Sequence, residues 1–131
     1  MAVKIEKKSF GKTARGESVT LFKIETPELT ACVLDYGATV QALLVTDQDG
    51  KTVDVVLGHD SIDHVVNSPE PFLSTTIGRY GNRIAKGKFT LYGEEHELTI
   101  NNGPNSLHGG PTGFHARVWD ADQLAENIIQ F

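Results

Sequence analysis

Six short runs are apolar or alternating and lie between turn residues: Val19 to Glu25, Leu29 to Asp35, Ala38 to Asp47, Val53 to Gly58, Lys88 to Tyr92 and Glu95 to Ile100. Before the tail, no stretch of ten or more residues keeps a helical period. The pattern predicts an all-β chain. In the run from Ala38, residues Ala38, Val40, Ala42 and Leu44 share one face and Thr39, Gln41, Leu43 and Val45 the other. Apolar side chains stand on both faces, so both are expected to be covered in part. A sandwich satisfies this better than a single exposed sheet.

At 131 residues the chain has room for one domain and not for two. Its 12 Lys plus Arg stand against 17 Asp plus Glu, a net charge of -5, and no basic patch is large enough to hold a phosphate backbone. Nucleic acid is therefore excluded as a partner. The start, MAVKIEKKSF, carries no apolar leader core, and no apolar run approaches the ~20 residues that span a bilayer, which argues against a membrane partner. Cys32 is the single cysteine and no glycosylation acceptor occurs, as in a cytoplasmic protein.

A hairpin can be registered from the sequence. With Gly93 and Glu94 as the loop residues of a type II′ turn, Tyr92 faces Glu95, Leu91 faces His96 and Phe89 faces Leu98. Phe89, Leu91, Leu98 and Ile100 then share one face, and Lys88, Thr90, Glu95, Glu97 and Thr99 the other. The following segment, Asn101 to Gly113, holds four Gly, two Pro and three Asn and reads as a shaped loop. The tail WDADQLAENIIQF fits a short helix or a strand pair on pattern alone.

Around this hairpin lie Asn82, Arg83 and His108. An Arg fork with five N–H donors and an imidazole flanked by two glycines suit the recognition of hydroxyl groups. Read alone, however, Arg83 is a surface residue paired with a carboxylate and His108 a residue that caps a turn. Arg79, four positions before Arg83, is intrinsically equivalent to it. His59, His64, His96 and His115 read as structural or solvated, and His59, Asp60, Asp63 and His64 lack zinc-type spacing, so no metal is expected.

The motifs GRYGNRIAKGKF and NNGPNSLHGG, in this order with a hairpin between them, resemble the aldose 1-epimerases, also called galactose mutarotases. The likeness extends to DYGATVQALLV and DVVLGHDS upstream and to GFHARVWD downstream. It implies that residues 1–131 are a single or partial domain, the N-terminal portion of a galactose mutarotase-like β-sandwich (a supersandwich) truncated at its C-terminus, and it favours strands for the tail. It assigns substrate binding to Asn82, Arg83 and His108. The family's acid, a histidine, and its base, a glutamate, are expected beyond Phe131, so no catalytic residue is assigned within the chain. Glu94, Glu95 and Glu97 match no catalytic motif, and His115 stands where relatives often carry an acidic residue. The implied reaction interconverts the α and β anomers of a free aldose such as galactose or glucose and needs no cofactor. The resemblance says nothing of oligomeric state.

Two alternatives stay open: a non-catalytic carbohydrate-binding β-domain, and a relative acting on hexose 6-phosphates. A hydrolase is disfavoured, since His108-Gly109-Gly110-Pro111 would need a G-x-S-x-G elbow that the chain lacks. Gly78-Arg79-Tyr80-Gly81 does not have the spacing of a dinucleotide fingerprint.

Overall fold

The computed structural model describes residues 3–131. Its largest element is a five-stranded antiparallel meander of β1 (Lys4–Lys12), β2 (Ser18–Glu25), β3 (Leu29–Leu34), β4 (Thr39–Thr46) and β5 (Thr52–Asp54), in sheet order β1-β2-β3-β4-β5. A short helix α1 (Ile62–Val66) follows. Then come β6 (Arg83–Ile84), β7 (Lys88–Leu91), β8 (Glu94–Glu97), β9 (Ser106–Leu107), β10 (Asp122–Ala125) and β11 (Ile128–Gln130). These pair as three two-stranded ribbons, β6 with β9, β7 with β8 and β10 with β11. The tail is thus a strand pair, and among the described residues the regular structure is all-β apart from α1 and two 3-10 turns, Ala85–Gly87 and Phe114–Ala116.

The core forms where α1 lies on the sheet. Val19, Leu34, Ile62 and Val65 cluster there, and Phe10, Leu21, Tyr36 and Val118 pack around them. Leu34 has no exposed surface, and its burial alone is worth about 2 kcal/mol. Ser61 starts α1 by accepting a hydrogen bond from the His64 backbone N–H at 3.3 Å. On the opposite sheet face Phe22 is buried and meets Phe131 edge-on at 5.5 Å.

Several expectations change here. β1 is absent from the six predicted runs, because KIEKKSFGK is dominated by lysines that suit a solvent-facing edge strand. Helix α1 was also unread, since five residues are too few for a period to register. The run Val53 to Gly58 ends as strand at Asp54, whose carboxylate accepts from the N–H groups of Leu43 at 3.0 Å and Val56 at 3.1 Å. A side chain there replaces a ladder acceptor, and the strand stops.

The alternation along β4 is broken by a bulge. Pairing jumps from Cys32 opposite Ala42 to Val33 opposite Val40, which leaves Gln41 extra and puts Val40 and Ala42 on opposite faces. Thr39 and Ala42 are the buried members, and the Gln41 amide donates to the His59 carbonyl at 3.1 Å.

The hairpin register moves by two residues. Leu91 pairs with Glu94, Thr90 with Glu95, Phe89 with His96 and Lys88 with Glu97, so Tyr92 and Gly93 form the turn. Both have positive φ, 53° and 83°, as a type I′ turn requires and a type II′ turn does not. A two-residue slip preserves the faces, so Phe89 still shares a face with His96, and their rings stack at 5.0 Å. Leu98 and Ile100 fall outside β8.

Candidate functional site

Pairing of β6 with β9 places Arg83 opposite Leu107 and Ile84 opposite Ser106. Two segments far apart in sequence thereby meet, and Asn82 lies beside His108. The Asn82 backbone N–H donates to His108 Nδ1 at 2.9 Å, and the His108 N–H donates to the Asn82 carbonyl at 3.1 Å. Because Nδ1 accepts, the proton of the neutral ring sits on Nε2, which is left as a donor. Both residues have positive φ, 70° for Asn82 and 53° for His108, a conformation that side chains other than Gly adopt sparingly.

Arg83 is exposed yet oriented. Its Nε donates to Asn102 Oδ1 at 2.9 Å and one terminal nitrogen to Asn82 Oδ1 at 3.4 Å. The rest of the fork has no protein partner among the described residues. The three asparagines of the loop therefore act as braces, a role sequence reasoning missed although their density was visible. Asn102 holds Arg83. Asn105 accepts from the Lys86 N–H at 3.2 Å. Asn101 takes both backbone groups of Leu107, at 2.7 and 3.0 Å.

Structure also separates the two arginines. Arg79 lies over the Phe114 ring at 5.5 Å, a cation–π arrangement, whereas Arg83 is held by amide oxygens. Beside them opens a groove of about 1020 Å³ lined by Arg79, Arg83, Ile84, Phe89, Phe114 and Trp119, among others. Asn82 and His108 are not part of that lining. The structure thus brings Asn82, Arg83 and His108 together at one end of the β6–β9 ribbon, and only Arg83 faces the groove.

Within this site the approach is closest at Gly109, where the backbone has φ 85° and a Cβ would stand 2.0 Å from the Gly78 carbonyl oxygen. That same oxygen accepts from the Phe114 N–H at 3.2 Å. GRYG, LHGG and GFHAR therefore share one backbone junction. It is tied to the large sheet through the Asp35 and Tyr36 turn: Trp119 N–H donates to the Asp35 carbonyl at 2.9 Å, and Gly37 N–H to the Arg117 carbonyl at 2.7 Å.

Among the other candidates, Glu95 and Glu97 both face Lys88, at 3.5 and 3.4 Å, as exposed ion pairs of small energetic weight. His64 is exposed on α1. His115 is buried, 6% exposed, with Nδ1 lacking a hydrogen-bond partner among the described residues. Burial first, and the neighbouring His108 second, hold its imidazole below the ordinary value of 6.5.

Between that lowered value and 6.5 the unfolded chain binds more protons than the folded one. Stability from neutral His115 is thus complete above 6.5 and is lost as pH falls through this window. The urea midpoint of the wild-type protein is expected to drop between about pH 7.5 and about pH 5.5 more than that of His115→Phe. Parallel pH profiles of the two proteins would contradict this.

Residues 20–131 match the aldose 1-epimerase family. The chain belongs to it. Bovine galactose mutarotase is 39% identical to this aldose 1-epimerase family member over 127 residues, 96% of the chain and 37% of the bovine protein. Escherichia coli K12 aldose 1-epimerase is 37% identical over 103 residues, 79% of the chain and 30% of that enzyme. Among solved structures, galactose 1-epimerase from Lactobacillus acidophilus superposes with a TM-score of 0.75 at 27% identity, over 92% of this chain and 34% of that one. An aldose epimerase homologue from C. elegans gives 0.71 at 39% identity, over 76% and 30%. The all-β fold of this family member is thus part of the galactose epimerase architecture, and the chain spans 37% of the length of its bovine and mouse relatives.

Proposed function

We propose that this chain supplies the sugar-positioning part of an aldose 1-epimerase that interconverts the α and β anomers of free hexoses such as galactose and glucose. The observation that carries this reading is the bond from Asn82 N–H to His108 Nδ1, which leaves Nε2–H as a donor on a residue one step along the β6–β9 pairing from Arg83. Sugar hydroxyl and ring oxygens are neutral acceptors, and fixed donors of this kind hold them without a counter-charge. In the implied reaction a base takes the proton from the C1 hydroxyl and an acid protonates the ring oxygen. The bond between C1 and the ring oxygen opens, C1 turns about the C1–C2 bond, and closure gives the other anomer. The Asn82, Arg83 and His108 donors orient the pyranose, while the acid and base belong to family length beyond residues 1–131. The same reading takes the protein as cytoplasmic, in keeping with its lone, buried thiol, Cys32.

Polarimetry of freshly dissolved α-D-galactose tests it, with the 131-residue protein beside a version extended to family length. Accelerated mutarotation only in the extended form is expected. Activity in the short form would place acid and base within it and overturn the division of labour. Galactose binding without turnover in either form would identify a carbohydrate-binding domain instead.

A further inference from the structure

One hydrogen bond at Nδ1 does not fix an imidazole, because the ring can still swing away from that donor. The described contact that restrains the His108 ring plane is with Phe72, whose ring meets it edge-on with centroids 4.8 Å apart and planes at 63°. Phe72 meets buried His115 in nearly the same way, at 4.7 Å and 65°. Its own backbone is set by a tight turn in which Leu73 N–H donates to the Glu70 carbonyl at 3.3 Å, with Pro71 at the position where its fixed φ is favoured. A third segment, outside both signature motifs and just ahead of GRYG, therefore bears on the ring that carries the free donor.

We infer that Phe72 is a positioning residue for His108: its ring, backed by His115, keeps the imidazole in line with the Asn82 N–H and so keeps the proton on Nε2. This deepens the sugar-binding reading and rests on it for its consequence, while its geometric content concerns the ligand-free protein. Loss of the aromatic contact frees the ring to leave the Asn82 N–H, and both neutral tautomers then become populated. The contact energy of such an aromatic pair corresponds to about a tenfold change in an equilibrium.

The experiment uses the 131-residue protein labelled with ¹⁵N, comparing imidazole long-range ¹H–¹⁵N spectra of wild type, Phe72→Leu and Phe72→Tyr. Leucine keeps the bulk and removes the ring, and tyrosine restores the ring. Wild type and Phe72→Tyr are expected to show a single His108 tautomer with bare Nδ1, and Phe72→Leu an averaged pair. A Phe72→Leu protein with backbone shifts of the folded state and an unchanged His108 signature would overturn the inference.

Titration with galactose adds the consequence, an expected affinity loss of about tenfold in Phe72→Leu, recovered in Phe72→Tyr. Unaltered affinity alongside a disordered ring would also overturn the positioning role. Absence of any galactose response in the wild type would instead overturn the sugar-binding reading and leave the tautomer signature to decide the inference.

Discussion

Alanine at Gly109 is expected to destabilise the protein by on the order of 3 kcal/mol and to abolish sugar binding together with the fold of the LHGG turn. Two effects add. The residue sits at φ 85°, where a Cβ is disfavoured, and that Cβ would be driven to 2.0 Å from the Gly78 carbonyl oxygen, a backbone atom that cannot swing aside. Relief requires the GRYG and LHGG segments to separate. Separation breaks the pairing of Arg83 with Leu107 and the mutual bonds of Asn82 and His108. Urea denaturation measures the first effect, and the His108 imidazole spectrum reads the second. Gly16 provides the control: it also has positive φ, 83°, but a Cβ there meets nothing within 4 Å, so its alanine variant bears only the conformational cost. Equal stability of the two variants would show that the Gly78 contact is slack.

Arg83→Ala and His108→Ala, in the form extended to family length, are each expected to lower turnover by about 10²-fold, the usual scale for removing one fixed donor from a developing charge. In the 131-residue protein the same changes should remove galactose binding while leaving the fold intact, since Arg83 is exposed and His108 only half-buried. Arg83→Lys is the sharper variant. An ammonium cannot reach Asn102 Oδ1 and Asn82 Oδ1 with the geometry of a planar fork, so charge is kept while orientation is lost. Progress curves from polarimetry give both rate and KM. Wild-type rates in Arg83→Ala and His108→Ala would remove both residues from the site, and a wild-type rate in Arg83→Lys would show that charge alone suffices.

The strands of the meander from β2 to β4 could be read from alternation and turn residues because buried residues stand on both faces, Val19 and Leu34 on one and Phe22 on the other. The hairpin faces were legible from the alternation of apolar and charged residues even though the ribbon is largely exposed, but its register was not. A slip of two residues leaves every side chain on its face, and the deciding fact, positive φ at Tyr92, belongs to a residue type that gives no such signal. Gln41 hides its bulge in the same way, since the alternation continues through it in sequence while the pairing does not.

Motif resemblance singled out Asn82, Arg83 and His108 as candidates, and the bonds that join them were not legible. Nothing in the spacing of Asn82 and His108 reveals a ring nitrogen accepting from a main-chain N–H, nor Asn102 bracing Arg83. Phe72 is harder still. It is an ordinary aromatic in a turn, and only tertiary packing brings it to His108.

The asparagine braces and the reciprocal Asn82–His108 bonds join GRYGNR to NNGPNSLHGG before any ligand arrives. Donors already fixed need no loop closure on association, so the entropy of ordering side chains and backbone is largely absent from the binding step. On the proposed reading, a small neutral sugar, which offers little apolar surface, is retained through directional bonds whose enthalpy is not consumed by reorganisation. Loosening one brace, as in Asn102→Ala, would thus appear as a more unfavourable binding entropy, even though Asn102 itself need never touch the sugar.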